Sequence, residues 1–102
     1  MSHPEVILLV RFKTELSFEE VSKIAIERTT EFRALEGLKQ KYYLQDTSSG
    51  EYAGLYLWES PEALAKYRDS ELRASIAEAY QVQGAHRIEI YKVVRTLRND
   101  TA

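Results

Sequence analysis

Six residues of this sequence have the side-chain types and the spacing to do chemistry together: Arg11, Lys41, Tyr43, Tyr56, Trp58 and His86. Lys41 and Tyr43 stand two apart, as do Tyr56 and Trp58, so in extended chain each pair projects from one face. A cation set among phenols and an indole can hold an ionised phenol or enol and lower its pKa through opposite charge. Each residue also has a purely structural reading. Trp58 before a capped helix can be core packing, Tyr43 and Tyr56 a cross-strand pair, and Lys41 a side chain snorkelling at a sheet edge. Arg11 interrupts an apolar strand, and a buried guanidinium needs a partner. Either a carboxylate such as Glu89 or Glu59, or an anionic group of a ligand, would supply one. His86 stands at the mouth of the last strand, as loop surface or as a general base. Other chemistries lack their residues: there is no cysteine, no Ser-His-Asp order, no phosphate-cradling glycine loop and no paired carboxylates in an evident cleft.

The elements that must position these residues can be read from the spacing of apolar side chains. Val6 to Lys13 is apolar on both parities until Arg11, as in a central strand. Ser17-Phe18-Glu19-Glu20 is a capping box. The stripe Val21, Ile24, Ala25, Arg28, Phe32, Leu35 continues it as one buried helical face, and Gly37 terminates it. Leu38 to Gln45 and Ala53 to Glu59 are strands joined by a hairpin loop, Asp46 to Glu51. Ser60-Pro61 opens a second helical region that carries Ala63, Leu64 and Tyr67. It breaks at Asp69-Ser70-Glu71 and resumes through Leu72, Ile76 and Tyr80. Gln81 to Ala85 is expected as a connection, Arg87 to Val94 as the fourth strand, and residues 96–102 as a polar tail.

The order β-α-β-β-α-β predicts an α+β, ferredoxin-like fold, a four-stranded antiparallel sheet with helices on one face. With a loop over Thr47 to Gly50, hairpin residues whose numbers sum to 97 face each other. One face then holds Leu38, Gln40, Tyr42, Leu44, Ala53, Leu55 and Leu57. The other holds Lys39, Lys41, Tyr43, Gln45, Tyr52, Gly54, Tyr56 and Trp58. The first strand splits into Val6, Leu8, Val10, Phe12 and Ile7, Leu9, Arg11, Lys13. Placing Arg11 with the aromatic-cationic set puts Arg11, Lys41, Tyr43, Tyr56 and Trp58 around one cavity beneath the helices. The aliphatic face is too apolar to stand in water and is expected to pack on a second copy.

Composition narrows the partners. The 102 residues suffice for one domain, residues 1–102 with a core over 5–95, that buries its own core without a metal or disulfide. Lys and Arg number 14 against 16 Asp and Glu, for a net charge of -2 with no basic stripe, so nucleic acid is not an expected partner. The longest aliphatic run, Val6 to Val10, is far too short to span a membrane. The N-terminus lacks the pattern of a signal peptide, and a cytoplasmic setting is expected. Seven of the aromatic residues are Tyr, which suits a half-polar cavity or an interface.

Two segments carry a family likeness: Gly37-Leu38-Lys39-Gln40-Lys41-Tyr42-Tyr43 entering the second strand, and Gly54-Leu55-Tyr56-Leu57-Trp58-Glu59-Ser60 closing the third, completed by Ala63 and Tyr67. Through them the chain resembles the dimeric α/β-barrel superfamily, and within it the small monooxygenases of the YdhR type, related to the antibiotic-biosynthesis monooxygenases. The resemblance implies a homodimer whose two sheets close face to face into a barrel, with a pocket between sheet and helices in each subunit. It implies a cofactor-independent monooxygenase acting on a small aromatic or polyketide-like compound. An isomerase or cyclase on the same fold, or a non-catalytic small-molecule-binding or stress-response dimer, is the alternative. Trp58 matches the pocket Trp of such oxygenases; where they can carry a substrate-contacting Asn, this chain has Gly54. Haem-degrading relatives ligate iron through a helix His, whereas His3 and His86 fall on no expected helix, so neither haem nor another cofactor or metal is expected. The resulting assignment has Trp58 and Lys41 as catalytic residues and Arg11, Tyr43, Tyr56, Tyr67 and His86 as substrate-binding ones.

Overall fold

The computed structural model describes residues 3–98. Its elements run β1 (Val6–Lys13), α1 (Phe18–Glu27), α2 (Thr29–Arg33), β2 (Leu38–Gln45), β3 (Tyr52–Trp58), α3 (Pro61–Arg68), α4 (Glu71–Ala74), α5 (Ile76–Ala79) and β4 (Gln83–Lys92). The helices begin where the sequence places caps. Ser17 Oγ accepts from Glu20 N at 3.1 Å while Glu20 Oε1 accepts from Ser17 N at 2.9 Å, closing the capping box. Ser60 and Ser70 accept from the N–H groups of Ala63 and Arg73, each at 3.1 Å.

The four strands pair antiparallel in the order β2-β3-β1-β4, the ferredoxin-like arrangement. From Gln40 to Gln45 the hairpin register follows the sum of 97, with Lys41 opposite Tyr56 and Tyr43 opposite Gly54. A shift between Leu38 and Gln40 sets Leu38 opposite Trp58, against the core and not on the aliphatic face expected for it. Val6, Leu8 and Val10 stand opposite Trp58, Tyr56 and Gly54, and opposed residues share a face. That face is buried under the helices in one cluster that includes Val21, Phe32, Leu64, Tyr67, Ile76 and Tyr80. Gly37 lets the chain turn from α2 into β2 at φ 83°, and a Cβ there would collide with Ala63. Ile7 and Leu9 pair with Leu57 and Leu55 on the opposite face, which no helix covers; all four are only half-buried.

Three expectations shift. The first helical region is two helices, because Arg28 leaves helical geometry at φ -98°, ψ 4° and Thr29 Oγ1 turns back to Ala25 O at 3.2 Å. The region after Asp69 is likewise two short turns. β4 begins at Gln83, four residues early, since a register shift between Arg11 and Lys13 carries the extra residues within the ladder. Of the expected tail, residues 99–102 lie outside the described residues. No helix among the described residues is long and apolar enough to cross a membrane.

The hairpin loop is held by Asp46. Its Oδ1 accepts from Ser48 N at 2.7 Å and Ser49 N at 3.1 Å, and its Oδ2 from Arg11 Nη2 at 2.7 Å. The two backbone donors, then Arg11, hold this carboxyl at about 2. A carboxyl whose folded pKa lies below its unfolded value of ~3.9 contributes stability that is present above that value and lost as pH falls. Asp46→Asn is therefore expected to flatten the decline in stability between about pH 4 and about pH 2. Urea midpoints across that window, compared with the parent chain, check it; parallel declines would refute it.

Candidate functional site

β2 is an edge strand, and the hairpin register turns Lys41 and Tyr43 toward the helices beside Gly54 and Tyr56. α2 brings Phe32 over them. Lys41 Nζ then lies 3.6 Å from the Phe32 ring centroid, 4.5 Å from that of Tyr43 and 4.6 Å from that of Tyr56. Gly54 makes the space: a Cβ there would stand 2.9 Å from Tyr56 Cε1 and 3.4 Å from Lys41 Cε. No Asp or Glu among the described residues forms an ion pair with Lys41. Burial pushes the ammonium down to about 7, and the charge of Arg28 adds to that. The three ring faces work in the other direction, since their quadrupoles favour the cation.

Arg28 is the second cation of the site. Its Nη2 donates to Ser75 Oγ at 2.5 Å and to Leu72 O at 3.4 Å, which ties α1 to the α4–α5 turn. Its guanidinium lies 5.8 Å from the Phe32 centroid, so Arg28 and Lys41 approach the same ring.

Inward from Lys41 the aromatic cluster continues into the core. Tyr67 on α3 donates its hydroxyl to that of Tyr56 at 3.2 Å, and burial raises the pKa of both phenols. Trp58 is 0% exposed, lies parallel to Tyr56 at 6.3 Å between centroids and stands 5.2 Å from Tyr67. Its Nε1–H is buried with no hydrogen-bond partner.

Three hollows surround this arrangement. One of about 470 Å³ opens between α2 and β2, with Phe32, Arg33, Lys39, Lys41 and Tyr43 in its wall and no Asp or Glu. One of about 330 Å³ lies between α1 and the end of β2, walled by Phe18, Ile26, Tyr43, Leu44 and Tyr52. Beneath them a chamber of about 50 Å³ reaches Lys41, Gly54, Tyr56 and Tyr80. Tyr43 lines all three, half-exposed at the junction. The outer hollows fall in or near the size range of small-molecule sites, ~300–1,000 Å³; the inner chamber is too small for more than a few atoms.

Lys41, Tyr43 and Tyr56 are thus brought together as the alternation requires. Trp58 shares their face but lines a separate hollow of about 180 Å³ with Tyr67, Leu35 and Ala63. Arg11 must be corrected. Opposite Ala53, it lies on the uncovered face, because the even-numbered residues of β1 point to the helices. Its ion-pair partners are Asp46 at 2.7 Å and Glu51 at 3.8 Å; Glu89, one of the carboxylates expected from the sequence, adds only a weaker attraction. His86 is likewise apart from the groove: it lies in β4, at the opposite edge of the sheet from Lys41. Its Nδ1 is buried without a partner, and burial, then the charge of Arg73, lowers its pKa. Sequence reasoning counted Arg28 and Phe32 as core stripe and passed over them as site residues. The available signal was a charged residue inside an apolar stripe.

The comparisons agree with the fold. Residues 7–101 match the family model described as "Putative mono-oxygenase ydhR". No curated protein matches the sequence. Among solved structures, the cofactor-independent oxygenase SnoaB from Streptomyces nogalater is similar with a TM-score of 0.72 at 16% identity, over 92% of this chain and 97% of that one. A protein from Caulobacter crescentus CB15, described as a putative antibiotic biosynthesis monooxygenase, gives 0.73 at 17% identity over 91% and 92%. NE2512, a protein of unknown function from Nitrosomonas europaea, gives 0.74 at 10% identity over 99% and 100%. At such identities the likeness is one of fold.

Proposed function

We propose, since the chain belongs to the ydhR mono-oxygenase family, that it oxidises an acidic aromatic or polyketide-like compound without a cofactor, in the groove between β2 and the α1–α2 pair. The observation that carries this reading is Lys41, a desolvated amine without a carboxylate partner, in the wall of an aromatic groove free of acidic residues. As an ammonium it favours the phenolate or enolate of a bound substrate over the neutral form. Phe32 and Tyr43 offer ring faces that orient a planar substrate. The substrate anion has carbanion character at a ring carbon and passes an electron to dioxygen. A C–O bond forms there to give a hydroperoxide. The same carbon then loses its hydrogen as a proton, the C–H pair becomes the carbonyl π bond, and the O–O bond breaks with the outer oxygen leaving, protonated, as water. The protein supplies orientation and electrostatics. SnoaB, described as a cofactor-independent oxygenase, supports the reading through its shared fold. The uncovered sheet face supports a homodimer, with each copy burying the other's Leu55 and Leu57.

One observation favours a binding module instead. Trp58, the catalytic residue implied by the family likeness, is wholly buried and lines a hollow apart from Lys41. Oxygen uptake with a panel of polycyclic phenols separates the two: consumption with product formation supports the enzyme, and tight binding without consumption supports the module.

Lys41→Met is expected to weaken binding of an acidic phenol about tenfold, the ~1.5–3 kcal/mol scale of a hydrogen bond to a charged group less its solvent screening. The methyl ether of the same phenol should be affected far less. Fluorescence titration of both ligands against both proteins checks this, and equal losses for phenol and ether would refute it.

A further inference from the structure

We propose that Lys41 is also a carbonyl-capturing amine, condensing with an aldehyde or ketone of an anionic aromatic ligand seated in the groove between β2 and α2. This activity uses the same groove as the reading above but does not rest on its oxygen chemistry. Two conditions turn a lysine into a nucleophile: removal from water into an apolar pocket, and a neighbouring cation that disfavours the ammonium. Lys41 meets both. Its Nζ lies among the rings of Phe32, Tyr43 and Tyr56, and Arg28 approaches the same Phe32 ring. Arg28 is itself anchored beside that ring by hydrogen bonds to Ser75 and Leu72.

The groove also selects the ligand. Of the charged groups around Lys41, Arg28 and Arg33 come from the helical layer and Lys39 from its own strand; the titratable Tyr43 comes from β2, Tyr52 and Tyr56 from β3, and Tyr80 from the end of α5. No Asp or Glu lines the hollow. An aromatic carbonyl compound with a carboxylate fits this wall better than a neutral one. Gly54 is the positioning residue, since a Cβ there would collide with Tyr56 Cε1, whose ring walls Lys41, and would touch Lys41 Cε. The lowered pKa of about 7 supports the geometry by leaving a large share of the amine unprotonated near neutrality. Lys66 is the built-in contrast, with a side chain 77% exposed and paired to Glu36 at 3.4 Å.

In the reaction the Nζ lone pair attacks the carbonyl carbon, forming a C–N bond as the C=O π pair moves to oxygen. Protons pass from nitrogen to that oxygen, water leaves with the C–O bond, and an imine to Lys41 remains. No electrons are gained or lost overall.

The test uses the full chain with para-carboxybenzaldehyde and cyanoborohydride, which delivers hydride to the imine and fixes the adduct for peptide mapping. Lys41 should be labelled at least tenfold faster than Lys66 near neutral pH. Its rate should level off above about pH 8. The methyl ester of the probe should label Lys41 several-fold more slowly than the acid. Lys41→Arg, which keeps the charge, should abolish the adduct at this site with an unchanged melting curve. Gly54→Ala should slow labelling of Lys41 toward the Lys66 rate. Equal labelling of Lys41 and Lys66 near neutral pH, or a Lys41 rate that keeps rising well above about pH 8, would overturn the proposal. Labelling requires no oxygen, so a protein that labels at Lys41 but consumes no oxygen with phenols counts against the oxygenase reading alone.

Discussion

Replacing Trp58 by Ala is expected to lower the melting temperature by on the order of 20 °C, the largest single effect foreseen for this chain. The indole is fully buried between Tyr56 and Tyr67, and removing such a ring costs about 3–5 kcal/mol. A domain of this size is stable by only about 5–15 kcal/mol, so about a fifth or more of its stability is at stake. The cavity left behind would also loosen the Tyr67–Tyr56 hydroxyl contact, and through Tyr56 one wall of the Lys41 cage. Circular dichroism melting checks the first part, and a melting point close to the parent's would mean that the core closes around the gap. Trp58→Phe separates packing from chemistry. If it folds well but no longer supports oxygen consumption, the indole takes part in the reaction; if it retains activity, Trp58 is core.

Replacing Leu55 and Leu57 together by Glu is expected to convert the proposed dimer into a folded monomer. These two side chains and their partners Leu9 and Ile7 form the middle of the uncovered sheet face. Each leucine buried on association contributes about 1.5–3 kcal/mol, and two copies bring two each, so the loss is several powers of ten in the dissociation constant. The fold should survive, because neither side chain belongs to the buried cluster under the helices. Sedimentation at micromolar concentration reads the outcome. A parent chain that is already monomeric there would remove the case for a dimer through this face.

Much of this architecture is legible in the amino-acid sequence. Ser17 and Glu20, and Ser60 ahead of Pro61, announce helix starts through side-chain oxygens that take otherwise unpaired N–H groups. The Thr47–Gly50 loop sets the hairpin register at the sum of 97, and with it the meeting of Lys41, Tyr43, Gly54 and Tyr56 on one face. Such features are local: each depends on groups a few residues apart, or on one short turn.

The remaining features depend on distant parts of the chain. Alternation along β1 leaves both parities apolar as far as Leu9 and Val10, so the strand itself does not say which side meets the helices. Only pairing with β3 places Arg11 on the uncovered face beside Asp46. The shift in β4 that makes His86 part of an edge strand arises from its ladder with β1, and nothing local signals it. The amino-acid sequence by itself thus determined the element order, the hairpin register and the aromatic-cationic character of one sheet face, because caps, turns and period-two alternation act over short range. The tertiary structure decided that Phe32 and Arg28 close over Lys41, that Trp58 lies in the core and that Arg11 faces away. Those outcomes depend on how helices seat on a sheet and which strand edges meet, and packing between residues far apart in the chain sets both.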